Sequence, residues 1–209
     1  MVYRDRAYKK RSARNILQDH YPGLLPVIDS LIKSGGYINV AIDGNSGAGK
    51  SYLASMLSKV YACNIFHMDD YFLTPDLRTD DRLSEIGGNV DYIRFREEII
   101  DSLTKGTEFQ YRPYNCRTQS FEGYILVEPK YLNIIEGVYS MHPTLVGAYD
   151  LKVFLGVEAE EQSRRILKRN GKSMHTRFVE EWIPLENEYF NQMNIKEKSD
   201  LVYYPVFMD

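Results

Sequence analysis

The chain has 209 residues, with 26 Lys and Arg against 29 Asp and Glu, a formal net charge of −3 and a pI near 5.9. That length accommodates one three-layer α/β core without a second domain, and the charge balance excludes a surface built overall for nucleic acid. Cys63 and Cys116 stand outside any C-x-x-C spacing and the four histidines, His20, His67, His142 and His175, are scattered, which excludes a disulfide scaffold and a Cys/His metal site and suits a reducing cytosol.

In chain order, the opening MVYRDRAYKKRSARN is basic but lacks the apolar core of a secretory signal, so it reads as a solvated helix start. A helix over residues 14–34, interrupted at YPG, follows. No apolar stretch is long enough to span a bilayer, since LLPVIDSLI is broken by Pro26 and Asp29; the expectation is a cytoplasmic protein with no membrane or nucleic-acid partner. Five short apolar runs then recur, YINVAID, CNIFHMD, YLNIIEG, LKVFLGV and DLVYYPV, as strands buried on both faces of a parallel sheet require. Helices over residues 50–61, 91–105, 158–169 and 176–192 lie between them. This alternation predicts right-handed crossovers and a doubly wound α/β fold with helices on both faces of a five-stranded parallel sheet. Residues 107–128 break the alternation with period-two patterning about a polar centre, which predicts an inserted β-hairpin on the substrate side. The expected organisation is a single domain with a helical extension over 1–36, the hairpin at 107–128 and a short lid at 164–178.

Between the first strand and the next helix stands DGNSGAGKS. Gly44, Gly49, Lys50 and Ser51 satisfy G-x-x-x-x-G-K-[ST], the phosphate-binding loop, a pattern expected by chance roughly once in a hundred chains of this length. A loop without bulky side chains turns successive N–H groups inward as an anion cradle, and the helix that starts near Lys50 adds its positive dipole. Gly44, Asn45, Ser46, Gly47, Ala48, Gly49, Lys50, Ser51 and Tyr52 are therefore the candidate residues for a nucleoside triphosphate. Lys50 supplies the point charge and the Ser51 hydroxyl a Mg²⁺ ligand. Ligands of open α/β sheets bind beyond the carboxyl ends of the strands, and the runs ending HMDDYF and IIEGVY place Asp69 or Asp70, and Glu136, at that edge.

From Tyr37 to Val206 the sequence resembles the uridine kinase and phosphoribulokinase family of phosphate-loop kinases, which fixes the expected fold as that of the phosphate-loop nucleoside triphosphate hydrolases. The likeness is carried by GNSGAGKS, MDDYF, GGNVDYIRF, YRPYNCRTQSFEG, IIEGVY and RRILKRN, in that order. It implies ATP and Mg²⁺ as cofactors, Asp69 beside the acceptor hydroxyl, and Glu136 holding Mg²⁺ and its waters. It further implies Asp91 on ribose hydroxyls, Tyr114 against the acceptor, and lid arginines, Arg169 foremost and then Arg165, near the transferring phosphoryl group. Two departures stand out: Gln119 occupies the place of a base-contacting histidine, and the lid is shorter. A glutamine still offers a donor and an acceptor to a base, but the altered pocket changes which partner leaves groups unpaired. The absence of N-K-x-D and of D-x-x-G after the third strand disfavours a GTPase switch. The reading is an ATP-dependent kinase for a small-molecule hydroxyl, with the 5′-hydroxyl of a pyrimidine nucleoside foremost; another small alcohol or a nucleotide-sensing module are the alternatives, and homo-oligomerisation is left open.

Overall fold

The computed structural model describes residues 11–205, so most of the basic amino-terminal run lies outside the described residues. Helices α1 (Ala13–His20) and α2 (Leu24–Ser34) lead into β1 (Ile38–Gly44). Their break is set by Gly23, whose φ of 85° ends one helix direction and starts the next. After α3 (Lys50–Ser58) and β2 (Cys63–His67) comes a short helix α4 (Asp80–Ser84). The helix expected over 91–105 forms as α5 (Tyr92–Phe95), a π-turn Arg96–Ile100 and α6 (Asp101–Leu103). The inserted segment is a hairpin of two ladders: β3 (Phe109–Tyr111) with β6 (Ile125–Val127), and β4 (Tyr114–Asn115) with β5 (Ser120–Phe121). Then follow β7 (Leu132–Glu136), β8 (Leu151–Leu155), α7 (Ala159–Arg177), α8 (Ile183–Gln192) and β9 (Leu201–Tyr203).

The main sheet has the order β2-β7-β1-β8-β9 with every pairing parallel. From β1 the chain passes to the edge strand β2, returns to β7 between them, and then crosses β1 to β8 and β9 on the other side, so the carboxyl end of β1 lies where the strand order reverses, where such sheets bind ligands. Both faces are covered, and alternate residues serve different cores. Ile38, Val40 and Ile42 join Leu132, Ile134, Val153 and the residues of α1 to α3 on one face. On the other, Ala41, Phe66, Ile135 and Phe154 meet Phe95, Ile99, Tyr189 and Phe190. This is why the strand sequences are apolar almost without interruption.

The interruptions have a common cause. Asn39, Asn64 and Asn133 occupy matched register positions in β1, β2 and β7. The Asn133 amide donates to Asn39 Oδ1 at 3.2 Å, and the Asn64 amide donates to Asn133 Oδ1 at 3.1 Å. A one-residue slip of any strand would strand these amides in an apolar layer, so the ladder pins the register. The lid segment expected at 164–178 lies within α7, which is broken at Gly171 (φ 77°, ψ 173°). There the chain doubles back far enough for Ser163 Oγ to lie 2.7 Å from His175 Nε2. His142 is buried against the Tyr92 ring, 4.0 Å between centroids, and burial pushes its pKa down to about 4. It is a structural histidine. Among the described residues no helix is long and apolar enough to cross a membrane.

Asn133→Val removes the central rung and puts a β-branched apolar group of similar size in its place. It should lower the unfolding free energy by about 1 to 3 kcal/mol, because Asn39 and Asn64 each lose a buried partner. Urea denaturation with an unchanged m-value and an unchanged midpoint would show that the ladder contributes nothing.

Candidate active site

The phosphate loop begins where β1 approaches β8 most closely. Gly44 pairs in register with Leu155, and a Cβ at Gly44 would lie 2.0 Å from the Leu155 carbonyl oxygen, so only glycine fits. Gly47 and Gly49 have φ of 80° and 97°, left-handed values that cost other residues strain. Gly49 delivers the chain into the first turn of α3, where Lys50 is buried and Ser51 and Tyr52 are exposed. The Lys50 ammonium folds back over the loop and donates to the carbonyls of Gly44 at 2.7 Å and Asn45 at 3.0 Å.

Side chains from α7 and α8 hold the outside of the loop. Gln162 Nε2 donates to the Ser46 carbonyl at 3.0 Å, and Arg165 Nη1 to the Gly47 carbonyl at 3.0 Å. Glu186, buried on α8, accepts the Ser46 N–H at 3.0 Å and the Ser46 hydroxyl at 2.5 Å. Burial raises its pKa, and the charge of Lys50 and the Ser46 donors oppose the rise. Asp43, fully buried in β1, accepts from the N–H groups of Gly44 and Met141 and from the Tyr189 hydroxyl. Burial pushes its pKa up to about 6 despite those donors.

Asp69 follows β2 in the 3₁₀ turn Met68–Tyr71. Its residue reaches solvent but the carboxylate is crowded by protein. Burial, then the charge of Glu136, raises its pKa; the charges of Lys50, His67 and Arg169 oppose this. Glu136 ends β7 beside His67, its register partner in β2, with Oε1 2.5 Å from His67 Nδ1. This hydrogen bond is the main cause of the raised pKa of His67. Lys50, Asp69, Glu136 and Arg169 are thus brought within electrostatic reach around one carboxylate at the carboxyl edge of the sheet. Arg169 is exposed beside the Gly171 break, its Nε donating to Asn170 Oδ1.

A cleft of about 250 Å³ opens from Asp69, lined among others by Asp70, Phe72, Tyr114, Arg117 and Glu122. Tyr114 stands in its wall as expected from the hairpin, buried edge-on against Phe121. The two walls are stapled together by Arg94, whose guanidinium donates to the carbonyls of Asp70 at 3.0 Å and Arg112 at 2.9 Å and lies 3.9 Å over the Tyr71 ring.

Three expected site residues have other tasks. Asp91 caps α5: its Oδ1 accepts the Arg94 N–H at 3.0 Å and its Oδ2 lies 3.5 Å from Arg94 Nε. One oxygen is taken by the cap, the other pairs with Arg94, and Asp91 is not among the residues lining the cleft. Gln119 has φ 53° at the exposed tip of the hairpin. Pairing of Asn115 with Ser120 makes the intervening residues a turn, and the hairpin brings Cys116 and Arg117 to the cleft in its place. Arg165 is committed to Gly47, Glu161 and the Pro205 carbonyl on the loop side, not the acceptor side. Conversely His67, Arg94, Gln162 and Glu186 were not legible as site residues, because each acts through a partner distant in sequence.

Ser51 and Glu136, the residues expected at Mg²⁺, offer the hard oxygen donors that suit this ion. That ion keeps several waters and uses one or two carboxylates with phosphate oxygens rather than a protein cage. Among the described residues no group of three or more His, Cys, Asp or Glu side chains is placed to hold a metal ion.

No protein-family profile matches the sequence, and no curated protein does. Its shape is similar to a solved structure provisionally designated a uridine kinase from Bacillus stearothermophilus, with TM-score 0.62 and 19% identity over 86% of this chain and 98% of that one. It is also similar to a provisionally designated fructose transport system kinase from Silicibacter sp. TM1040, with TM-score 0.58 and 19% identity over 91% and 96% of the two chains. A third similar structure is D-glycerate 3-kinase from Cryptococcus neoformans, with TM-score 0.57 and 13% identity over 84% and 89%. These likenesses establish the fold as the α/β fold of the phosphate-loop kinases.

Gly44→Ala drives a methyl into the β8 backbone and should cost about 4 kcal/mol or more. Gly47→Ala, whose nearest neighbour would be 3.6 Å away, should cost only the left-handed strain of about 1 to 2 kcal/mol. Thermal melts of the two proteins check this: equal losses would mean that the approach to Leu155 does not fix where the loop begins.

Proposed function

We propose that the protein is an ATP- and Mg²⁺-dependent kinase that transfers the γ-phosphoryl group to a hydroxyl of a small molecule. The observation that carries this reading is the phosphate loop with its buried Lys50 next to the strand-end carboxylates Asp69 and Glu136, with a cleft that opens from Asp69. A loop that only sensed nucleotide would need no carboxylate at the mouth of a cleft.

In this reading the loop N–H groups and Lys50 hold the triphosphate, with the Lys50 ammonium exchanging its Gly44 and Asn45 carbonyls for phosphate oxygens. Asp69 holds the acceptor hydroxyl in line and takes its proton late, since the transition state is loose and little proton transfer precedes bond breaking. Crowding suits it to that work by raising its proton affinity. Arg169 is placed to meet charge on the transferring group. Mg²⁺, when bound, supplies neutralisation of the phosphate oxygens, and Ser51 and Glu136 are the residues that would hold it or its waters.

For the acceptor, the resemblance favours the 5′-hydroxyl of a pyrimidine nucleoside, and Tyr114 and Phe72 give the cleft flat apolar surface for a ring. The positions of Asp91 and Gln119 away from the cleft favour a second reading, another small alcohol such as a sugar or a vitamin precursor. Fold does not choose between them. A panel of nucleosides, sugars, sugar acids and vitamin alcohols, followed by ADP release, makes the choice. Acceptor-dependent ADP release with any of them supports the kinase reading; a panel without it, from protein that binds ATP, removes it.

With the acceptor so found, Lys50→Ala should abolish transfer and weaken ATP binding by about 2 to 4 kcal/mol while the protein still folds. Wild-type turnover in that variant would refute the assignment of the loop. Asp69→Asn should slow transfer by roughly 10² to 10⁴ with ATP affinity near normal, and Asp70→Asn should do less. Single-turnover rates with the opposite ranking would assign the acceptor-side role to Asp70.

A further inference from the structure

Phosphate-loop chemistry explains the glycines, Lys50 and Ser51, but not why a buried carboxylate from a distant helix grips the third residue of the loop. Glu186 is 4% exposed and spends both oxygens on Ser46, one on its N–H and one on its hydroxyl. One turn further along α8, Tyr189 reaches Asp43, the residue before the loop, at 2.8 Å. A single face of α8 therefore fixes the chain on both sides of Gly44 and Asn45, whose carbonyls hold the Lys50 ammonium.

We infer that Glu186 is a positioning residue for the phosphate loop, holding it in its nucleotide-binding shape before ATP arrives. This rests on the reading of the loop as an ATP site. The physical need is entropic. Gly44, Gly47 and Gly49 all have positive φ, and a segment so rich in glycine has much freedom to lose on binding unless something has already removed it. A carboxylate that receives N–H and O–H from one residue fixes both its backbone and its side chain, and charge-assisted bonds are the strong ones.

The opposite role, a carboxylate sitting in the phosphate's place, does not fit. A stand-in for phosphate would draw the lysine, yet the Lys50 ammonium bonds to two carbonyls and is in no ion pair among the described residues. Glu186 does take the Ser46 N–H, and the affinity of Glu186→Ala separates the two roles, since removing a stand-in for phosphate would tighten binding.

The test is titration calorimetry of MgATP into the full-length protein, beside amide exchange at Ser46 and Gly47 in the nucleotide-free state. Glu186→Ala should raise the Kd for MgATP about 10- to 100-fold and speed exchange at both amides. Glu186→Gln, which can still accept the N–H and pair with the hydroxyl, should bind within about threefold of wild type or better. Asn133→Val, destabilised at a remote site, should leave the Kd unchanged and so separates positioning from general loss of stability. Three results overturn the inference: wild-type affinity and exchange in Glu186→Ala, tighter binding in Glu186→Ala, or an equal loss in Glu186→Gln. A wild-type protein that fails to bind MgATP at all refutes the ATP-site reading instead, and the inference falls with it.

Discussion

A buried ammonium organises the carboxyl edge of the sheet. The Lys50 charge acts on Asp43 in β1, Asp69 after β2 and Glu186 on α8, three crowded carboxylates contributed by different elements. Desolvation raises the pKa of each, and the Lys50 charge opposes that rise in all three. Its own place is fixed by the Gly44 and Asn45 carbonyls, and these are available only because β1 can run close enough to β8 for Gly44 to lie over Leu155. A contact of backbone with backbone thus sets where the charge sits. In the proposed reading a triphosphate entering the loop would compete for Lys50 and leave the carboxylates less well compensated, a deficit that a divalent cation and a further arginine would make up.

The edge is stiffened by strain that the surrounding packing overcomes. Tyr139 is buried with φ 72°, a conformation that costs a bulky residue of the order of 1 to 3 kcal/mol. Just before it Gly137 has φ 140° and passes the Met68 side chain at a distance no Cβ would tolerate. The turn is held from several directions: Tyr139 packs on Tyr189 with ring centroids 4.8 Å apart, the Tyr149 hydroxyl donates to the Ser140 carbonyl, and Met141 N–H donates to Asp43. The segment that leaves β7 therefore has little freedom, and Glu136, immediately before it, is held on a rigid base. Precision of this kind at a strand end is what in-line transfer would require.

The strands were legible because double-sided burial leaves an unmistakable apolar run, and the phosphate loop because its chemistry needs fixed residue types at fixed spacing. Asp69 and Glu136 were legible as strand-end residues once the sheet was taken as parallel. Less legible was where a side chain points in an irregular segment. An aspartate ahead of a helix has the same signature whether it caps the helix or binds a hydroxyl, and Asp91 does cap α5. Gln119 depended on hairpin register: with Asn115 opposite Ser120 it falls in the turn, and a register that placed it on a strand would have turned it toward or away from the cleft. The ladder of Asn39, Asn64 and Asn133, the pairing of His67 with Glu136 and the grip of Glu186 on Ser46 join residues 69 to 140 apart in sequence, and no local pattern announces them.

The division of labour between scaffold and insertion explains why this architecture accommodates dissimilar acceptors. The triphosphate side is built from strand ends, glycines in fixed conformations and buried side chains of α7 and α8, so a change there disturbs core packing or buried charge. The acceptor side is built from the 3₁₀ turn that carries Asp69 and from the hairpin, whose cleft residues Arg117 and Cys116 are exposed. Arg94 joins these two walls through backbone carbonyls, Asp70 on one side and Arg112 on the other, so it fixes their spacing without dictating the side chains they present. Hairpin side chains can therefore be exchanged without loosening the cleft. In the proposed reading the acceptor is decided by a handful of exposed residues whose identity the sheet does not constrain, and this is the physical reason that a sequence so explicit about phosphate is so reticent about the hydroxyl that would receive it.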